Sequence, residues 1–251
     1  MSVLTYMLIG SLVFVFSGLM AMAGLGAAFL FVPLFYYLGV PLSQATSTAL
    51  LLNVVSPLFA AISYGRAKLI NWQVALPILV VAVVLSPLGA RLTPQVNKNV
   101  LLWMFACFLL FAGAMMLFFS PRAREKKMPR LVEAGAGAGV GGVAGFLGGM
   151  LGVGGGNFIV PVLNWLGIDP KIAAGTTALV VVFSSLSGFL GHVSLGGLNL
   201  TFVGITAILA AGGSVIGSQL MKSRLSGAQL KRIIGILLWV IAAKMMWDLL
   251  K

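Results

Sequence analysis

The sequence predicts an all-α integral membrane protein built of two inverted repeats of about five transmembrane segments each. Three observations predict it. Hydrophobic residues make up 60% of the chain and charged residues only 8%, where a soluble domain carries about 25% charged. Apolar runs of the length that crosses a bilayer, about 20 residues, recur along it. The first half also returns in the second. Gly24, Gly26 and Pro33 match Gly152, Gly154 and Pro161, 128 residues on, and Leu38-Gly39-Val40 matches Leu166-Gly167-Ile168. After a one-residue slip, Pro41 pairs with Pro170, and Ser47-Thr48-Ala49-Leu50 with Thr176-Thr177-Ala178-Leu179. Further on, Leu88-Gly89-Ala90 echoes Ile216-Gly217-Ser218. Self-similarity at a fixed period defines the repeat unit: 1–120, a basic linker at 121–131, and 132–251.

Val3 to Ala23 is long enough to span. Ala21-Met22-Ala23 has the small-residue look of a signal-peptide cleavage site. No basic residue precedes the run, however, and its counterpart at 132–151 is internal, so it reads as a retained first helix. Gly24 to Gly26 interrupts it. The next apolar piece, 27–38, is too short to cross as a straight helix and is expected to be broken or re-entrant. Leu42 to Tyr64 spans and carries Thr46, Ser47, Thr48, Asn53 and Ser56. Arg66 and Lys68 mark a loop. Trp72 to Ala90 spans with Pro77 and Pro87 inside, where kinks are expected. Val100 to Phe119 spans again. In the second unit, Leu131 to Leu151 leads to the break Gly152-Val153-Gly154-Gly155-Gly156-Asn157 and a second short piece, 156–167. Spans then follow at Lys171–Leu190, Leu198–Met221 and Ala228–Leu250. The glycines at 135–145 read as close helix packing.

The linker Pro121–Arg130 holds five basic residues in ten positions and should face the cytoplasm. With five passes per unit, Arg66, Lys68, the linker, Lys171, Lys222, Arg224, Lys231 and Arg232 fall inside. Only Arg91, Lys98, Lys244 and Lys251 fall outside. Four passes per unit would move Lys222, Arg224, Lys231 and Arg232 outside and erase the bias. The count therefore favours inverted halves with both termini outside. The net charge of +12 reads as loop residues facing anionic headgroups, not as a nucleic-acid surface. Cys107 reads as apolar filler, and Trp72, Trp103, Trp165, Trp239 and Trp247 include interface-belt candidates.

The four acidic residues, Glu125, Glu133, Asp169 and Asp248, all lie at segment ends or in the linker. A pump of buried carboxylates, a metal site and a catalytic constellation are thus all unsupported, so no enzyme and no cofactor are expected. An anion needs no buried base: helix N-termini offer N–H groups and partial positive charge. Helices restarting after Gly26 and Gly156 would aim these at a common centre. Paired Gly-interrupted segments at matching positions of two halves mark a transporter's binding site. The candidate substrate-binding residues are Gly24, Gly26, Ser47, Thr48, Asn53, Gly152, Gly154, Gly155, Gly156, Asn157, Thr176, Thr177 and Ser185. Each hydroxyl alone has a plainer reading as a back-bond to its own helix. His192, the sole histidine, matches Tyr64 at a span end and is a candidate for proton coupling, against the plainer reading of a satisfied interfacial histidine. The glycine run also weakly resembles a phosphate-binding fingerprint, but no strand precedes it.

Two sets of residues carry a family resemblance. One is Gly24-Leu25-Gly26…Val32-Pro33 with Gly148-Gly149-Met150-Leu151-Gly152-Val153-Gly154-Gly155-Gly156…Val160-Pro161. The other is Ala45-Thr46-Ser47-Thr48-Ala49-Leu50 with Ala174-Gly175-Thr176-Thr177-Ala178-Leu179. The chain resembles the TauE/SafE family of sulfite-exporter-like permeases over nearly its whole length. The resemblance implies a multi-pass carrier in a prokaryotic inner membrane for a small sulfur-containing anion such as sulfite or an organosulfonate. Its partners would be that anion and the lipid bilayer, with a homodimer as the assembly to test. An anion channel, or a carrier of another small organic anion, has the same pore chemistry. Ala27 and Ala28 stand where the second half has Gly155 and Gly156, so the two halves need not contribute equally.

Overall fold

The computed structural model describes residues 3–22, 25–118, 130–192, 200–223 and 227–250, and among them every regular element is a helix. The order is α1 (Val3–Met22), α2 (Ala28–Tyr37), α3 (Leu42–Arg66), α4 (Trp72–Leu92), α5 (Lys98–Phe118), α6 (Arg130–Leu151), α7 (Gly156–Trp165), α8 (Pro170–His192), α9 (Leu200–Ser223) and α10 (Gly227–Leu250). Among the described residues, five helices are long and apolar enough to cross a membrane: those within Leu42–Arg66, Trp72–Gln95, Lys98–Phe118, Pro170–His192 and Thr201–Leu220. The linker expected at 121–131 lies outside the described residues as far as 129.

Several starts follow from side-chain caps. Asn71 accepts from Gln73 N before α4, Asn97 from Asn99 N before α5, and Asp169 from Lys171 N before α8. Each satisfies an orphan N–H of a first turn, which explains one of the few acids. Pro77 and Pro87 lie inside α4, and the helix runs through both.

The duplication seen in the sequence recurs in the backbone. Leu25 N bonds Met20 O, and Val153 N bonds Gly148 O. Leu30 N bonds Ala27 O, and Phe158 N bonds Gly155 O. Beyond the short helices, Gly39 and Gly167 both turn left-handed, at φ 84° and 86°, and bond Tyr36 O and Asn164 O. Helix pairing repeats as well: α4 packs on α6 as α9 packs on α1, and α4 on α8 as α9 on α3.

Glycines set these contacts. Gly141, Gly145 and Gly149 of α6 lie against the backbones of Ile78, Ala82 and Ser86 of α4, so the two helices run the same way. Gly213 and Gly217 of α9 meet Phe14 and Gly18 of α1 in the same sense. By contrast, α3 and α8 run oppositely, with Tyr64 beside Gly175 and Leu50 beside Gly188. So do α5 and α10, where Trp239 Nε1 donates to Leu110 O at 3.1 Å and Leu117 lies on Gly235. Small residues at such seams let backbones touch. Large side chains then fill two main cores, one of α1, α2, α5 and α10 around Phe29, Phe31, Phe35 and Leu109, the other of α4, α6, α7 and α8 around Ile78, Ile159 and Val180.

A Cβ on Gly217 would overlap the Gly18 carbonyl, while one on Gly204 of the same helix meets nothing within 4 Å. We expect Gly217→Val to destabilise the fold by about 1–3 kcal/mol through overpacking. Gly204→Ala should instead stabilise it by up to about 1 kcal/mol. Thermal unfolding of the two variants in detergent checks the pair.

Candidate functional site

Midway along α3, Asn53 is fully buried. Its Oδ1 accepts from Ala28 N, the first residue of α2, at 3.1 Å, and its Nδ2 donates to Ser185 Oγ on α8 at 2.8 Å. One side chain therefore caps the first short helix and ties α3 to α8. The breaks enclose it. A Cβ on Gly26 would overlap the Asn53 amide, and a Cβ on Gly154 would overlap both Asn53 Nδ2 and Ser185 Oγ. A Cβ on Gly156 would lie 3.7 Å from Gly26 N and 3.5 Å from Thr177 Cγ2. The two interruptions thus face each other across Asn53.

Their backbones differ for a stated reason. Gly152, Gly154 and Gly155 adopt φ of 72°, 70° and 71°, a region open to glycine at little cost. Ala27, which stands where the second half has Gly155, caps α2 at φ −93°. The second break needs glycine where the first does not. The restarts themselves correspond: α2 begins at Ala28 after Ala27, and α7 begins 128 residues on, at Gly156 after Gly155, so the second helix restarts at Gly156 and not after it.

Gly26, Asn53, Gly154, Gly156 and Ser185 come together, with Thr177 beside Gly156. Gly155 packs against Ala144, and Gly152 lies on Thr46. Other candidates are spent elsewhere. Ser47 Oγ donates to Ser43 O at 2.8 Å within its own helix, and Thr176 Oγ1 accepts from Asn71 N at 3.0 Å, where α4 begins. Thr48 is buried on α3. Gly24 lies outside the described residues. At the first of the two helix N-termini, one of the expected N–H groups, that of Ala28, is taken by Asn53.

His192 does not sit in an interfacial setting as its span-end position suggested. It is 1% exposed, and its Nε2 lies 3.1 Å from Gly149 O near the end of α6. Tyr64, its match, donates to Ala21 O at 2.8 Å near the end of α1. Ala21 and Gly149 are 128 residues apart, as are Tyr64 and His192. The two rings hold corresponding carbonyls at the ends of the interrupted helices.

The cluster's chemistry is neutral and rich in donors. Ser185 Oγ accepts from Asn53, which leaves its own O–H to donate. Thr177 Oγ1 is buried beside Gly156 with no hydrogen-bond partner among the described residues; Ser56 Oγ, three residues on from Asn53, and the acceptor Asn157 Oδ1, next to Gly156 in the chain, are buried and unpartnered as well. Buried polar groups are normally satisfied by protein or by a bound species. Residue pairing by repeat missed Asn164, whose Oδ1 is likewise buried and unpartnered. Its spacing of seven from Asn157, which puts both on one helical stripe, was the available signal. Also missed was Ser86 of α4, which donates to Ser184 O at 2.8 Å.

Residues 6–245 match the family described as Sulfite exporter TauE/SafE. Among similar proteins, the probable membrane transporter YunE of Bacillus subtilis is 24% identical over 86% of this chain and 87% of its own length. The probable membrane transporter MJ0441 of Methanocaldococcus jannaschii is 26% identical over 68% of this chain and 66% of its own. The Sulfite exporter TauE/SafE family protein 1 of Arabidopsis thaliana is 35% identical over 32% of this chain and 18% of its own.

Removing either partner of the Asn53–Ser185 bond leaves a buried polar group unsatisfied, at a cost of about 1–3 kcal/mol. Asn53→Ala should lose more than Ser185→Ala, because it also uncaps α2. A double-mutant cycle should give a coupling of about 0.5–3 kcal/mol, measured by denaturant unfolding in detergent.

Proposed function

We propose that this chain, which belongs to the sulfite exporter TauE/SafE family of membrane transporters, is a secondary carrier of a small sulfur oxyanion such as sulfite or an organosulfonate. The observation that carries the reading is the meeting of two glycine breaks at Asn53, in a buried, uncharged cluster of N–H and O–H groups. Such groups bind an anion without the cost of burying a base, about 2.5–3.5 kcal/mol for Arg or Lys on insertion scales. The names of the Arabidopsis relatives supply the chemical class.

The carrier reading adds alternating access around the repeat interface. Its support is in the helix directions: α6 runs with α4 and α9 with α1, while α8 opposes α3 and α10 opposes α5. Those senses fit halves that traverse the membrane in opposite directions, with boundaries at 1–120 and 132–251 and the basic linker in the cytoplasm. A prokaryotic inner membrane is the location that goes with that orientation. A homodimer is the assembly carried forward, to be read by cross-linking in the bilayer.

Purified protein in liposomes should take up radiolabelled sulfite or a small sulfonate, saturably and with dependence on a counter-ion. Flux that neither saturates nor responds to a counter-ion would instead indicate a channel. Thr177→Val keeps the side chain's shape and removes one donor. It should lower kcat/KM by about 10-fold or more, the worth of one hydrogen bond to a charged group, with the unfolding midpoint little changed. Unaltered flux in Thr177→Val would remove this hydroxyl from the site.

A further inference from the structure

We propose that the face opposite the linker carries an anion-collecting mouth at Lys98, closed off from the glycine breaks by an apolar gate. This rests on the transport reading above and adds to it an access route with a specific cation.

Two cavities adjoin where α2 ends, α5 begins and α10 ends, and they share Tyr36, Leu102 and Met245. The outer one, of about 140 Å³, is also lined by Tyr37, Lys98, Asn99 and Asp248. Lys98 Nζ stands 5.1 Å above the Tyr36 ring, and Lys244 Nζ stands 4.7 Å above the Tyr37 ring. Asp248 is the one acid lining this cavity, and Lys244 pairs with it at 3.1 Å. Lys98 therefore leaves the mouth positive. A positive cleft with low-dielectric walls concentrates anions and speeds their arrival.

The inner cavity is apolar: Val32, Pro33, Leu101, Phe105 and Leu151 wall it. Its volume of about 20 Å³ holds about one water, too little for a hydrated anion. Apolar constrictions of this kind close a pore by excluding water. Its inner end is Thr46, whose hydroxyl is turned back to Leu42 O and Ser43 O. A Cβ on Gly152 would meet Thr46 Cβ at 2.8 Å. One side chain thus separates the gate from the second break, two residues from Gly154. Lys98, then Tyr36 and Leu102, then Thr46 and Gly152 thus lead from the outer cavity to the edge of the second break.

Lys98 is exposed, so Lys98→Gln should fold as the parent does. In liposomes loaded for sulfite uptake, it should raise KM by about five- to tenfold with kcat little changed. It should also flatten the ionic-strength dependence of kcat/KM, the signature of a charge that steers arrival. Lys98→Arg should restore both. A second readout places Leu102→Cys in a Cys107→Ser background and treats it with a small anionic methanethiosulfonate. Labelling should proceed from the face opposite the linker and slow under saturating methanesulfonate. An unchanged KM and salt dependence, or labelling from the linker face alone, overturns the mouth while leaving the transport reading intact. Absence of any anion flux in the unmodified protein overturns both.

Discussion

An interrupted helix inside a membrane has to satisfy its own backbone, because no water is there to do it. The rest of this structure depends on how that demand is met. Asn53 answers it at the first break, taking the Ala28 N–H on one side and reaching Ser185 on the other. Glycine at 26 and at 154 is what leaves room for the amide. Remove the side chain and the break is uncapped; add a methyl group to either glycine and the side chain has no place. The break, its cap and the tie between α3 and α8 are therefore one interaction.

The opposite ends of the broken helices are held in a second way, and there the duplication is close. Tyr64 reaches Ala21 O, and His192 reaches Gly149 O, from corresponding positions of the two halves. A phenol and an imidazole do the same mechanical work on corresponding carbonyls. This gives His192 a structural task that stands apart from any exchange of protons. The centre, by contrast, is uneven. Asn53 has Val182 at its counterpart position, and Gly155 is left-handed where Ala27 is not. A duplicated scaffold surrounds a candidate site that draws Asn53 from one half and its left-handed glycines from the other.

Much of the scaffold was legible in residue order. Span limits such as Leu42, Trp72 and Leu151 follow from where apolar runs meet Pro, Asn or Gly, and the helices start or stop there. The candidate site was legible in part. Gly26, Asn53, Gly154, Gly156 and Ser185 meet, but Ser47 and Thr176 are turned to backbone groups of their own surroundings. A repeat-equivalent hydroxyl marks a place in the fold and does not say whether its oxygen faces the centre or its own helix. Asn164 went unread because its match is Tyr36, so pairing by similarity passed over it.

The sequence by itself determined the class, the duplication and the location of both interruptions. Those properties are set by composition and by local backbone preference, which neighbours in the chain impose. Only the tertiary structure decided which polar groups converge. Asn53 and Ser185 are 132 residues apart, and the seams of α4 on α6 and α1 on α9 set the depth at which the breaks meet. Contacts of that span depend on helix–helix packing at bare glycine backbones, and no local pattern encodes which helix arrives there.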